Sequence, residues 1–176
     1  LRTAGIVQSL RNFSRQSEWA LKDADINEVV ESSLKLLSHQ IKDRVQVTFE
    51  KGDLPLVHCY SLQLGQVFLN LLNNAQQAIE NTGTIAITSR ADNTSIHVEI
   101  TDTGKGIPPD MLSSVFDPFF TTKTEGEGMG LGLSISMAVV KRHGGEIKIE
   151  SVFGSGTTVT VSIPREGIQA EAETQE

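Results

Sequence analysis

Residues 66–78 read QVFLNLLNNAQQA, and the fold turns on how they are read. Val67, Phe68, Leu71, Leu72 and Ala75, continued by Ile79, recur at the spacing of a helix with one buried face. Asn70, Asn74 and Gln77 fall at i, i+4 and i+7 and share the opposite face. Asparagine is a poor helix former, because its amide competes for nearby backbone groups. Asparagines in mid-helix therefore cost stability and point to a use. Their amide oxygens suit a hard cation, and Mg²⁺ takes oxygen ligands together with waters and substrate phosphates. Taken alone, the stretch fits the solvated face of an ordinary amphipathic helix better, since polar faces are the norm, and it is the later stretches that overturn that reading.

Working outward, Ser61 is the expected N-cap of this helix, and Asn81, Thr82 and Gly83 are expected to end it. Upstream, Asp25 to Glu28 has the spacing of a capping box, and a helix is expected from there to about Ile41. Residues 45–50 alternate like a strand, and 56–59 form a short one after the Gly52-Asp53 turn. Downstream, 84–91 and 95–101 alternate about Asp92-Asn93, the pattern of a hairpin. A Gly-rich region fills 102–130. A helix over 131–143 then stops at Gly144-Gly145. Strands over 146–152 and 157–163, joined by Gly154-Ser155-Gly156, make a second hairpin. The expected fold class is α+β, a two-layer sandwich of a mixed sheet with helices on one face.

Residues 1–18 carry a narrow apolar seam of Ile6, Val7, Leu10 and Phe13, flanked by Arg2, Arg11 and Arg15. Such a helix packs on one partner helix, or docks on its own domain. The division expected is 1–20 as a separate helix, 21–165 as the main domain and 166–176 as a disordered acidic tail. The first residue is Leu, so the chain is taken as a piece of a longer protein.

With 176 residues and 38% hydrophobic content, one domain with a real core is expected. The net charge of −7 argues against a general nucleic-acid or anionic membrane surface. Cys59 stands alone, so it reads as a small buried residue in a reducing compartment. His39, His58, His97 and His143 lack metal-ligand spacing.

Three stretches in the Gly-rich region carry chemistry. Asp102-Thr103-Gly104-Lys105-Gly106-Ile107 sits just past a strand, where a buried carboxylate could accept an exocyclic amine while the glycines admit a flat ring. A tight turn with a solvated Asp is the other reading. Gly126, Gly128, Gly130 and Gly132 open into a helix, offering free N–H groups and a positive dipole end to phosphates. The pattern is neither a P-loop nor GxGxxG, since Leu131 stands where the third Gly belongs. Between them, Phe116, Phe119 and Phe120 either anchor a lid from which Lys123 meets phosphate, or plug the core beneath a long loop.

Together these stretches resemble the ATP-binding catalytic domain of sensor histidine kinases, in the ATPase/kinase superfamily of gyrase, Hsp90 and MutL. The likeness spans about 25–164. The N box is matched by residues 70–75, the G1 box by 102–107, the F box by 116–123 and the G2 box by 128–135. The F box looks most like that of nitrogen-regulator-type kinases. The resemblance implies a Bergerat-type sandwich that binds Mg-ATP. It implies Asn74 as the Mg²⁺ ligand, Asn70 as an aid to phosphate or acceptor positioning, and Lys123 as the phosphate cation. Asp102 would accept the adenine amine, with Thr157 sharing a water and Ile107 beside the base. Gly104 and Gly106 shape that end. Thr121, Thr122, Gly128, Met129, Gly130, Leu131 and Gly132 belong to the lid and phosphate loop.

The same resemblance implies transfer of the γ-phosphoryl to a histidine outside this chain, on a dimerisation domain whose last helix 1–18 would be. From there it would pass to a response-regulator aspartate. A homodimeric full-length protein, a cytoplasmic location and no membrane contact from this segment are expected, with any membrane anchor elsewhere. His39 is followed by Gln40, where the family's acceptor histidine is followed by an acidic residue, so it is not taken as the acceptor. Gln77 stands where many relatives carry a basic residue; many have Arg in the F box, where Lys123 is the nearest cation here; Ser61 stands where an Asp cap is expected. Phosphate charge would then rest on Lys123 and Mg²⁺ alone. The rival readings are a gyrase- or Hsp90-type ATPase, an anti-sigma-factor-type serine kinase and a non-catalytic nucleotide-binding scaffold. The first places a general-base Glu where this chain has Asn70, and the N-terminal helix and F box argue against the second.

Overall fold

The structure is a computed structural model that describes residues 20–41, 44–121 and 129–168, with the backbone alone at 38–41. Helix expectations for 1–18, and the positions of Trp19, Thr122, Lys123 and Gly128, lie outside the described residues. In chain order the elements are β1 (Lys22–Ala24), α1 (Ile26–Ile41), β2 (Val45–Glu50), β3 (Val57–Cys59), α2 (Ser61–Ala78), β4 (Gly83–Ala91), β5 (Ser95–Asp102), α3 (Gly132–Arg142), β6 (Glu146–Val152) and β7 (Gly156–Pro164).

Five strands form one sheet in the order β2-β4-β5-β7-β6. β2 and β4 are parallel, and every other neighbour pair is antiparallel. A parallel pair needs a long crossover, and α2 supplies it. Alternation puts Ile85 and Ile87, Ile96, Val98 and Ile100, Val161 and Ile163, and Ile147 on one buried face. The helices cover that face, so the expected two-layer sandwich with a mixed sheet is what forms. Strand β1 was not legible in the sequence. Its three residues pair with β3 in a separate ribbon, and neither strand is long enough to show a period.

Local chemistry explains the ends. The Asn27 N–H donates to Asp25 Oδ1 at 2.8 Å, so Asp25 caps α1. Helix α3 closes with Gly144 N–H donating to the Lys141 carbonyl and Gly145 N–H to Val140, the paired bonds of a Schellman motif. At the β4–β5 turn, Asp92 Oδ1 accepts the N–H groups of Thr94 and Ser95, both at 2.8 Å.

Two helix boundaries differ from expectation. Ser61 is the first helical residue rather than the cap, which is Tyr60 with no side-chain cap bond. The helix ends at Ala78, before Asn81-Thr82-Gly83, with Ile79 extended yet buried. Arg44 donates to the Ile79 and Glu80 carbonyls, so a cation from another loop serves a helix end that has no basic residue in its own last turn. Arg165 N–H donates to Thr94, and Ile168 N–H to the His58 carbonyl at 2.8 Å, so 165–168 is fastened to the domain.

Two buried polar groups join the layers. Ser89 Oγ donates to Asn27 Oδ1 at 2.7 Å, while Asn27 Nδ2 donates to Gly52. His143 is buried; its Nδ1 bonds the Val139 carbonyl at 2.8 Å and its Nε2 accepts the Tyr60 N–H at 3.2 Å, fixing the neutral tautomer. Burial holds its pKa below the ordinary 6.5. Cys59 is fully buried, and burial pushes its thiol up to about 11.

A histidine with a depressed folded pKa adds stability above its unfolded pKa, and that stability is lost as pH falls through the folded value. Urea unfolding is therefore expected to show stability falling with acid below about 6.5. In His143→Gln this component should be absent, and an unchanged pH slope in the variant would contradict the tautomer assignment.

Candidate nucleotide site

The cleft at the end of the sheet is built from three segments. The first is the polar side of α2. Asn70 and Asn74 are half-buried and line it, while Leu71, Leu72 and Ala75 face the core. Gln66 Nε2 donates to Asn70 Oδ1 at 3.1 Å, and Asn70 Nδ2 reaches the Gly132 carbonyl and Ser136 Oγ, both at 3.4 Å. Asn70 thus links α2 to the first turn of α3. The sequence reading assigns neither Gln66 nor Ser136 a role. Gln66 was findable at i−4 of Asn70, and Ser136 as a polar residue on the buried face of α3.

The second segment follows β5. Asp102 is the last residue of that strand, not one past it, and alternation turns it to the same face as Ile96, Val98 and Ile100. At 5% exposure, a carboxylate there needs donors. Gly104 N–H donates to Oδ1 at 2.7 Å, and the Thr157 N–H on the paired strand β7 also donates. Burial nevertheless pushes the carboxyl above its ordinary range, against both donors. A carboxylate has about four lone-pair sites, so two N–H donors leave acceptor capacity at the cleft floor. A Cβ on Gly104 would sit 2.6 Å from the Ala78 carbonyl, so only glycine lets the loop close on the end of α2. Lys105 N–H donates to that same carbonyl at 2.9 Å.

Ser151 completes this end. Its Oγ accepts the Ile107 N–H at 2.8 Å, donates to the Gly156 carbonyl and contacts Thr157 Oγ1 at 2.9 Å. It is a further residue that the sequence reading leaves unassigned, because strand alternation gives it no distinguishing mark. Gly106, Ile107 and Thr157 line the cleft. So does Lys105, a cation in the turn after β5.

The third segment is the long loop. It is not structureless: turn bonds run from Pro108 to Asp117, and Val115 is buried beneath them. The three phenylalanines behave differently. Phe116 packs on the core, Phe120 lines the cleft, and Phe119 is 73% exposed with φ of 69°. Phe119 N–H donates to the Gly130 carbonyl at 3.0 Å, so the residues on either side of 122–128 are clasped together. Gly130 has φ of 65°, and a Cβ there would lie 2.4 Å from the Phe119 carbonyl carbon. Thr121, Met129, Gly130, Leu131 and Gly132 line the cleft, with Gly132 opening α3.

Among the described residues no group of three or more His, Cys, Asp or Glu is placed to hold a metal ion. A cation here would therefore rely on amide, water and phosphate oxygens, and Asn74 with a bound phosphate chain fits Mg²⁺ on that chemistry. Among the described residues no helix is long and apolar enough to cross a membrane.

Residues 59–167 match the family described as histidine kinase-, DNA gyrase B-, and HSP90-like ATPase. The sensor histidine kinase ZraS of Escherichia coli (strain K12) is 38% identical over 161 residues, which cover 90% of this chain and 34% of that protein. The sensor kinase CckA of Brucella abortus (strain 2308) is 35% identical over 180 residues, covering 93% of this chain and 19% of that protein. The chain thus spans about a third of the first of these curated relatives and a fifth of the second. The solved catalytic domain of histidine kinase ThkA superposes with a TM-score of 0.75 at 30% identity, covering 84% of this chain and 99% of that one.

A carboxyl whose folded pKa is raised stays protonated in the fold after the unfolded chain has lost its proton. Its contribution to stability is full below the unfolded pKa and declines as pH rises through the folded value. Compared with Asp102→Asn, the ligand-free wild type is expected to lose stability as pH rises from about 4. Paired denaturant titrations measure this, and parallel pH profiles would contradict the buried setting of Asp102.

Proposed function

The chain belongs to the histidine kinase-, DNA gyrase B- and HSP90-like ATPase family, as a histidine kinase catalytic domain, and we propose that it binds Mg-ATP in the cleft just described. The observation that carries this reading is a buried Asp102 at the floor of a cleft whose opposite wall is the amide face of α2. Asp102 accepts the exocyclic amine of adenine, and Gly104, Gly106 and Ile107 admit and flank the ring. Gly130 and Gly132, at the start of α3, approach the phosphates together with Gly128. Lys105 and Lys123 balance phosphate charge, with Thr121 and Thr122 in the same lid.

Asn74 is the residue that would hold Mg²⁺, which when bound neutralises phosphate charge. Asn70 orients the phosphates or the acceptor, held from behind by Gln66 and Ser136. Phosphoryl transfer asks a protein mainly for positioning and charge neutralisation, and these residues supply both. The acceptor is a histidine on a dimerisation domain outside this chain. The whole protein, a homodimer, then relays the phosphoryl to a response-regulator aspartate. Residues 1–20 are the end of that dimerisation domain, and 116–123 favour the nitrogen-regulator-type subgroup. A cytoplasmic location accords with this chemistry, since ATP is the substrate.

Calorimetric titration with Mg-ADP tests the site. Asp102→Ala is expected to abolish binding with or without metal, while Asn74→Ala removes mainly the Mg²⁺-dependent part. Wild-type affinity in both variants, or no binding to the wild type, would contradict the assignment. A scaffold that binds nucleotide without catalysis would pass that test. It differs in the next one, where a supplied dimerisation domain is expected to be phosphorylated from ATP by the wild type and not by Asn74→Ala. Transfer by neither, with binding intact, would favour the scaffold.

A further inference from the structure

One row of polar side chains crosses the end of the sheet. Ser151, Thr157 and Asp102 stand directly opposite one another on β6, β7 and β5. Opposite residues of antiparallel strands turn to the same face, so the row shares the side of Ile147, Val161 and Ile100. Asp102 and Thr157 line the cleft, and Ser151 stands behind Thr157, one strand further from Asp102.

The hydrogen bonds along this row have a fixed direction. A serine hydroxyl has one proton to donate. The Gly156 carbonyl, 2.9 Å from Ser151 Oγ, can only accept, so that proton goes to it. Toward its other two partners Ser151 Oγ is therefore an acceptor. It takes the Ile107 N–H at 2.8 Å and the Thr157 hydroxyl proton at 2.9 Å. With its proton committed to Ser151, Thr157 Oγ1 keeps only lone pairs for the cleft. Beside it the Asp102 carboxylate also only accepts. Asp102 and Thr157 thus present acceptors without a side-chain donor between them.

The geometry points to Ser151 as the positioning residue that makes this end of the cleft select a base with an exocyclic amine. By holding the Thr157 proton it keeps a donor away from the place where the base edge arrives. Adenine brings an N6 amine there, directly to Asp102 or through a water to Thr157. Hypoxanthine and guanine bring a carbonyl oxygen at the same ring position, and facing acceptors leave both sides unpaired. Without the Ser151 hydroxyl, Thr157 can turn its proton into the cleft and meet that oxygen. Ser151 has this role only if the base enters at Asp102, as the functional reading above has it.

Calorimetric titration of the full chain with Mg-ADP and with Mg-inosine diphosphate, which differ only at the base, tests this. The wild type should bind the first about 100-fold more tightly. Ser151→Ala should lower that ratio about fivefold or more, whereas a merely structural role would weaken both nucleotides alike and leave the ratio unchanged. Ser151→Cys keeps the shape with only a weak donor and acceptor, and it serves in place of Ser151→Ala if urea unfolding shows that variant unfolded. Thr157→Val should also lower the ratio, and adding Ser151→Ala to it should lower it no further. A wild-type ratio in folded Ser151→Ala overturns the proposal. So does an undiminished effect of Ser151→Ala in the Thr157→Val background, because Ser151 would then act by another route. A wild type that binds neither nucleotide contradicts the functional reading itself, and this role falls with it.

Discussion

Burial of one stripe on α2 holds the rest of the molecule in place. Leu64, Val67, Phe68, Leu71, Leu72 and Ala75 are all removed from water, under the sheet on one side and between α1 and α3 on the others. Each large apolar side chain so buried contributes about 1.5–3 kcal/mol. An asparagine in a helix interior costs roughly 0.7 kcal/mol or less relative to alanine. The stripe therefore outweighs Asn70, Asn73 and Asn74 several-fold, and the helix can spend its remaining face on amides. The same burial makes α2 the crossover that sets β2 parallel to β4, and it brings the amide face over the end of β5.

The polar end of the cleft depends on that placement. Asp102 ends an apolar strand face, where an unpartnered carboxylate would be untenable. The Gly104 turn meets it, and that turn is in contact with the last carbonyl of α2 through Lys105. Thr157 meets it from β7, held in turn by Ser151 and the β6–β7 turn. On the other wall, Asn70 is tied to the first turn of α3, and the Gly130 carbonyl accepts the Phe119 N–H. Helix α2, the end of the sheet and the start of α3 are therefore one hydrogen-bonded system. A ligand that competes for Asp102 or Asn70 acts on all three.

Much of this was legible in the sequence because it rests on periodicity and on residues with one conformational use. The α2 stripe, both hairpins, the Asp25 cap and the Gly144-Gly145 stop all follow from local chemistry. Asp102 was legible as a carboxylate before glycines, but its burial was not, because that depends on which face β5 turns to the helices. Tertiary partners decided what the sequence misplaced. Arg44, from a distant loop, serves the end of α2 in place of the expected Asn81-Thr82-Gly83 stop, and Tyr60 is tied to His143 where Ser61 was the expected cap. β1 exists only because β3 pairs with it. Gln66 and Ser136 carried weak marks, the i−4 spacing to Asn70 and a polar residue on a buried helix face, whereas Ser151 matters through what it touches and strand alternation does not mark it.

The central claim is that the carboxylate end of this cleft receives the base of a nucleotide. Backbone ¹⁵N–¹H spectra of the full chain, recorded while Mg-ADP is added, test it at individual atoms. The amides of Gly104 and Thr157, which donate to Asp102, and of Ile107, held by Ser151, should shift together and saturate together. Those around Asp92 and His97, at the far end of β5, should stay where they are. Saturable binding that leaves Gly104 and Thr157 unmoved would place the nucleotide elsewhere and contradict the account.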